Sequence, residues 1–118
     1  MAAAPLSMGL LTPPTEHGQW GVPDWHPASA QLKSACEQAA RFCQQEGVNI
    51  ASLATMFALA EARIACTIIG CKNTQEVRRA ADVACRFHHQ SSLHACLSEK
   101  ESKVLRQLLD PADGPFAR

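Results

Sequence analysis

A chain of 118 residues, 47% of them hydrophobic, has the length of one small soluble domain and enough apolar residues for a core. Eleven basic and eleven acidic side chains cancel to a formal net charge of zero, which excludes a strong electrostatic footprint for DNA, RNA or an anionic membrane. No apolar run is long enough for a membrane span; residues 1–11 lack the positive start of a secretory signal and the arginines of a transit peptide, so the chain reads as intracellular and cytoplasmic.

In chain order, residues 13–28 read as a long loop, because Pro13, Pro14, Gly18, Gly21, Pro23 and Pro27 all interrupt regular structure. Ser29 is a good N-cap, and Leu32, Cys36, Ala39 and Cys43 recur on one helical face. A first amphipathic helix therefore runs to Gln45 or Glu46 before Gly47 stops it. Asn49 caps a second helix over residues 50–60. Its residues Ile50, Leu53, Ala54, Phe57 and Ala58 make it unusually apolar, a segment that must be covered or else exposes a sticky face. A short β-branched run, residues 64–69, predicts a buried strand closed by Gly70. A third helix follows from Thr74 to about Phe87, with Arg78 and Arg79 on its solvated face. A fourth runs from Glu99 to Leu109 behind the capping box Ser98 and Glu101, its apolar face being Val104, Leu105, Leu108 and Leu109. Pro111 and Gly114 end it.

The succession of strand, Gly70 and helix start is the build of a phosphate-binding corner. Asn73 can accept N–H groups of the first turn while Glu76 reaches back in a capping-box arrangement. A helix N-terminus carries unpaired donors and partial positive charge, to which Lys72 adds a full charge. The same corner also occurs as a purely structural strand-turn-helix, and spacing alone favours that plainer reading.

The six cysteines form no C-x-x-C pair; Cys36 and Cys43 share a helical face and Cys66 lies in the expected strand, so reduced, buried thiols are the default. Cys85, His88, His89, His94 and Cys96 are raw material for a tetrahedral zinc site, but no pairing among them has finger-like spacing, and a helix with a connecting loop is the preferred reading.

The stretch Ala2-Ala3-Ala4-Pro5-Leu6-Ser7-Met8-Gly9-Leu10-Leu11-Thr12, followed much later by Ile68-Ile69-Gly70, resembles the last two strand-and-loop units of the aldo-keto reductases. The segment Gly21-Val22-Pro23-Asp24-Trp25-His26-Pro27-Ala28-Ser29, running on to Val48, resembles the aldose dehydrogenases of the L-galactose dehydrogenase type within that superfamily. Such enzymes are (β/α)8 barrels, which take about 250 residues and eight strands. The resemblance therefore implies an α/β fragment, the last two strand-helix units of the barrel beginning at strand seven and mainly helical in isolation. Residues 1–110 would be the partial domain and 111–118 a C-terminal tail.

Carried over by position, Pro5, Leu6, Ser7 and Gly9 match the loop that wraps the cofactor pyrophosphate. There Gly9 would allow close backbone approach and Ser7 would donate a hydroxyl. Gly70, Lys72 and Asn73, preceded by Ile69, match the loop that holds the adenosine phosphate end, with Glu76 on the helix beyond. This sequence departs from the family in carrying Glu76 and Ala80 where Gln and Asn often contact the adenine. It also has Ala3 or Ala4 where an aromatic residue often stacks on the nicotinamide. The long loop would lie on the active-site face, with Trp20, Trp25, His17 and His26 near a sugar or nicotinamide pocket; the plainer reading makes each Trp an anchor of the loop. Lys72 favours a 2′-phosphate and hence NADP, whereas the resemblance implies NAD.

The implied complete enzyme is an NAD(P)-dependent oxidoreductase that oxidises an aldose at C1 to a lactone. Its catalytic Asp, Tyr, Lys and His come from earlier strands, and this chain contains no Tyr, so no turnover and weak or absent cofactor binding are expected of the polypeptide alone. Uncovered barrel edges imply marginal stability and self-association. The alternative is a non-catalytic helical interaction module.

Overall fold

A computed structural model describes residues 1–88, 90 and 92–117. The helix starts are built by side-chain oxygens that satisfy first-turn N–H groups. Ser29 Oγ accepts from Leu32 N–H ahead of α1 (Ala30–Gln45), and Asn49 Oδ1 accepts from Ser52 N–H ahead of α2 (Ile50–Leu59). The chain passes from α1 to α2 through Gly47 at φ +71°, a conformation that favours glycine. After α3 (Thr74–His88), Ser92 caps a single turn, α4 (Leu93–Cys96), which periodicity does not reveal because four residues carry no repeat. Ahead of α5 (Glu99–Leu108), Ser98 and Glu101 form the complete capping box, each side chain accepting the other's backbone N–H.

Helix α2 is the centre of the molecule and packs on α1, α3 and α4. Its Ile50, Leu53 and Met56 meet Ala39, Ala40 and Cys43 of α1, Val83 of α3, and Val104 and Leu108 of α5 in one apolar cluster. Burial pushes the Cys43 thiol up to about 11, and Cys36 in the same direction. The expected apolar faces are buried in part only. Leu32, Phe57 and Leu109 stand largely exposed, because among the described residues no further element covers the outer sides of α1, α2 and α5. Among the described residues no helix is long and apolar enough to cross a membrane.

The sheet is smaller and more open than the sequence suggests. Strand β1 (Ala2–Ala3) pairs in parallel with β2 (Thr67–Ile68), Ala2 opposite Thr67 and Ala3 opposite Ile68. The expected buried strand over 64–69 thus shortens to two residues, and Ile68 is 50% exposed and Cys66 exposed. Among the described residues no further strand lies alongside, so there is no ladder to extend the pairing and no layer to cover both faces. Cys85 on α3 is likewise exposed, whereas Cys36, Cys43 and Cys96 are buried; all six thiols are free. The architecture is mainly helical with a small parallel sheet, compatible with a partial α/β unit.

One polar network ties α3 to the start of α5. Arg86 Nη2 donates to Glu101 Oε1 at 2.7 Å and to the Cys96 carbonyl at 2.7 Å. Burial pushes the Glu101 carboxyl up, but hydrogen bonds from Arg86 and from Ser98 outweigh it and hold the group below its ordinary value of 4.5. A carboxyl lowered in the folded state stabilises the fold above its unfolded value, and that stabilisation is lost as pH falls through the folded value. The Glu101→Gln variant is therefore expected to be less stable than the parent by about 1 kcal/mol near neutrality. Below pH 4.5 the difference should shrink as the parent carboxyl protonates. Urea midpoints of both proteins across this range check it; a gap that stays constant into acid overturns the assignment. Glu61, drawn down to about 2 by its hydrogen bonds from Arg63, is present in both proteins, so the difference cancels it.

Candidate functional site

Parallel pairing sends the chain out of β1 and β2 at the same end of the sheet, so the two following loops face one another. The first loop is tightly wound. Ala4 (φ 52°), Ser7 (φ 50°) and Met8 (φ 57°) all occupy the left-handed region, joined by Gly9 at φ 99°. For non-glycine residues that region costs about 1–2 kcal/mol each. The surroundings hold it there: Ser7 N–H donates to the Ala4 carbonyl at 2.9 Å, and Thr12 Oγ1 donates to the Gly9 carbonyl at 2.7 Å.

The second loop, 69–73, leads into α3. Asn73 Oδ1 accepts from Glu76 N–H at 2.9 Å, the expected cap. Glu76 Oε2 accepts from Lys72 N–H at 2.9 Å rather than from Asn73 N–H as a capping box would have it, because the bend at Lys72 and Asn73 turns the earlier N–H toward the helix. A carboxylate thus already occupies one donor of the corner.

Between the loops lies a cavity of about 840 Å³. Pro5, Leu6 and Gly9 line it from the first loop, and Gly70, Lys72, Asn73 and Glu76 from the second. Of the residues expected at a cofactor site, Ser7 alone stands outside the lining; its side chain is exposed and its carbonyl is engaged by His26. Thr12, Pro13, Thr15, Gly21 and Pro23 close one side, while Ala51 and Thr55 of α2 form part of the wall. Trp20, Trp25, His17 and His26 do not line the cavity. Trp20 packs against the core as an anchor, and Trp25 is 71% exposed.

Sequence reasoning missed Arg79. Expected on a solvated face, it is half-buried and lines the cavity, whereas Arg78 beside it is exposed. The signal was present: Asn73, Glu76, Ala80 and Val83 recur every three or four residues on the cavity side of α3, and Arg79 falls on that stripe. Among the described residues neither Lys72 nor Arg79 enters an ion pair, so two cations face the cavity beside the one carboxylate of Glu76. That donor set suits a polyanionic ligand with hydroxyl groups.

Among the described residues no three His, Cys, Asp or Glu side chains come together, and His89 lies outside the described residues. A second, apolar groove of about 260 Å³ runs between α2 and α5, lined by Leu53, Ala54, Phe57, Leu105, Leu108 and Phe116 among others.

No family model matches the chain. Over 102 residues, 86% of its length, it is 33% identical to an L-galactose dehydrogenase of Arabidopsis thaliana. Over 81 residues, 68% of its length, it is 32% identical to a D-arabinose 1-dehydrogenase of Saccharomyces cerevisiae. Both are aldo-keto reductase family enzymes. This chain is a relative of the aldo-keto reductases. The kinship bears out the resemblance to that family. The chain spans 30% of the length of the first aldo-keto reductase relative and 22% of the second.

Proposed function

We propose that the chain is the cofactor-binding end of an NAD(P)-dependent aldo-keto reductase, with β1 and β2 as the last two strands of a (β/α)8 barrel. Residues 1–110 form the partial domain and residues 111–118 a tail. The complete enzyme oxidises an aldose at C1 to the lactone. The observation that carries this reading is the convergence of two loops, 65 residues apart in the sequence, on a single cavity lined by Pro5, Leu6, Gly9, Gly70, Lys72, Asn73 and Glu76. In the proposed role Lys72 and Arg79 hold phosphate oxygens, Asn73 keeps the corner formed, and Pro5, Leu6 and Gly9 pack along the cofactor. The nicotinamide, when bound, accepts the hydride leaving the sugar; the protein supplies binding and orientation. The proton acceptor belongs to the part of the enzyme outside this chain, so the chain by itself turns nothing over. Six free thiols fit a reducing compartment such as the cytoplasm.

A helical interaction module is the second reading, favoured by the apolar groove with Phe57 51% exposed at its rim, a surface through which such a chain would self-associate. Titration calorimetry with NAD and NADP, on a sample shown by circular dichroism to be folded, separates the two. The cofactor reading expects saturable binding in the region of 1 mM, about 4 kcal/mol, since much of the surrounding barrel is missing. A folded, monomeric chain that binds neither nucleotide leaves the interaction module ahead.

A further inference from the structure

His26 is the one buried histidine among the described residues, 7% exposed in a loop whose neighbours Asp24, Trp25 and Pro27 face solvent. Both ring nitrogens are engaged by backbone. Ala28 N–H donates to Nδ1 at 3.1 Å, which places the proton on Nε2, and Nε2 donates to the Ser7 carbonyl at 3.1 Å. The ring is therefore held in one tautomer and one orientation. Its own backbone N–H donates to the Pro23 carbonyl at 3.0 Å.

These contacts matter because of what lies at their far ends. Ser7 sits at φ 50° and Met8 at φ 57°, conformations that persist only when something outside the segment restrains them. The neighbours Leu6, Met8 and Gly9 line the cavity, and so does Pro23 from the opposite loop. His26 itself does not line it. The imidazole thus stands behind two walls of the same cavity and joins the Ser7 carbonyl, 19 residues away in sequence, to the Ala28 N–H of its own loop.

We infer that His26 is a positioning residue, a clamp that holds the wound loop 5–9 against the loop 21–28 and so sets the width of the cavity. Its bearing on nucleotide binding rests on the cofactor reading above; its action on the loop does not. It makes no contact with the ligand space: its ring bonds the Ser7 carbonyl and the Ala28 N–H, and its own backbone N–H bonds the Pro23 carbonyl.

Two variants test it. In His26→Phe the ring volume is kept and both ring hydrogen bonds are lost; in His26→Gln a donor is retained within reach of the Ser7 carbonyl. Amide hydrogen exchange on the unliganded chain reads the loop directly, since Gly9, Leu10 and Leu11 N–H groups donate within it to Leu6, Ser7 and Leu6 carbonyls. The clamp expects His26→Phe to speed exchange at these three amides about fivefold or more, while α1 and α2 are unchanged. His26→Gln should recover most of the protection, and NAD and NADP affinity should fall and recover in parallel. Unchanged exchange at Gly9, Leu10 and Leu11, or a rise shared equally by α1 and α2, overturns the clamp. Faster loop exchange with undiminished nucleotide affinity overturns its bearing on the site. A parent chain that binds no nucleotide sinks the cofactor reading, while the exchange pattern still decides the clamp.

Discussion

Replacing Met56 with alanine is expected to lower stability by about 3 kcal/mol, the largest effect of any single change proposed for this chain. Met56 is fully inaccessible to solvent and heads the largest wholly buried side chains. It lies on α2, the helix that touches α1, α3 and α4, so the cavity left by truncation opens where the elements meet and where collapse is least able to fill it. A small domain of this kind has about 5–15 kcal/mol in total, so a large part of the folded population is at stake. Urea denaturation followed by circular dichroism measures the loss, with Met56→Leu as the volume-conserving control expected within about 1.5 kcal/mol of the parent. A Met56→Ala protein as stable as the parent would mean that α2 is not the centre of the core. The consequence reaches the candidate site, since Ala51 and Thr55 on the same helix form part of the cavity wall.

Exchanging Arg79 for glutamine is expected to weaken NADP binding about tenfold, or 1.4 kcal/mol, while Arg78→Gln leaves it within experimental error. The two variants remove the same charge from adjacent positions, but only Arg79 lines the cavity. A general electrostatic effect would move both; a direct contact moves one. Raising salt should cost the parent more affinity than the Arg79→Gln protein, because a charge-to-phosphate contact is screened. Equal losses in the two variants would remove Arg79 from the site and leave Lys72 as its one assigned cation.

The positions where sequence and structure agree share a physical origin. Ser29, Asn49 and Ser98 announce helix starts because a cap is a hydrogen bond across three residues, and the stripe Cys36, Ala39 and Cys43 announces a buried face because helical periodicity is equally short-ranged. The kinship with aldo-keto reductases was legible for a related reason. It was read from contiguous runs such as Ala2 to Thr12, which need no knowledge of their partners to be compared.

Where the two differ, the missing information lay in contacts between distant segments. The β-branched run at 64–69 promises a buried strand, yet its pairing extends only over Thr67 and Ile68, since how much of a strand forms is decided by the neighbour beside it. The carboxylate of Glu76 was placed on the right helix turn but one donor away, because the bend before the helix chooses which N–H it meets. Arg79 was left in solvent: its place on the stripe with Asn73, Glu76, Ala80 and Val83 was legible, but the building of a cavity over that face by the loops after β1 and β2 was not.

By itself, then, the sequence determined the four longer helices, their caps and the family kinship, since each follows from interactions or motifs spanning a few neighbouring positions. Only the tertiary structure decided that the two loops share one cavity, that Arg79 enters it while Ser7 turns away, and that the His26 ring bonds the Ser7 carbonyl behind it. Those facts depend on Ala2 meeting Thr67 and on a buried imidazole reaching back to Ser7, contacts whose geometry is set by the packing of the whole chain.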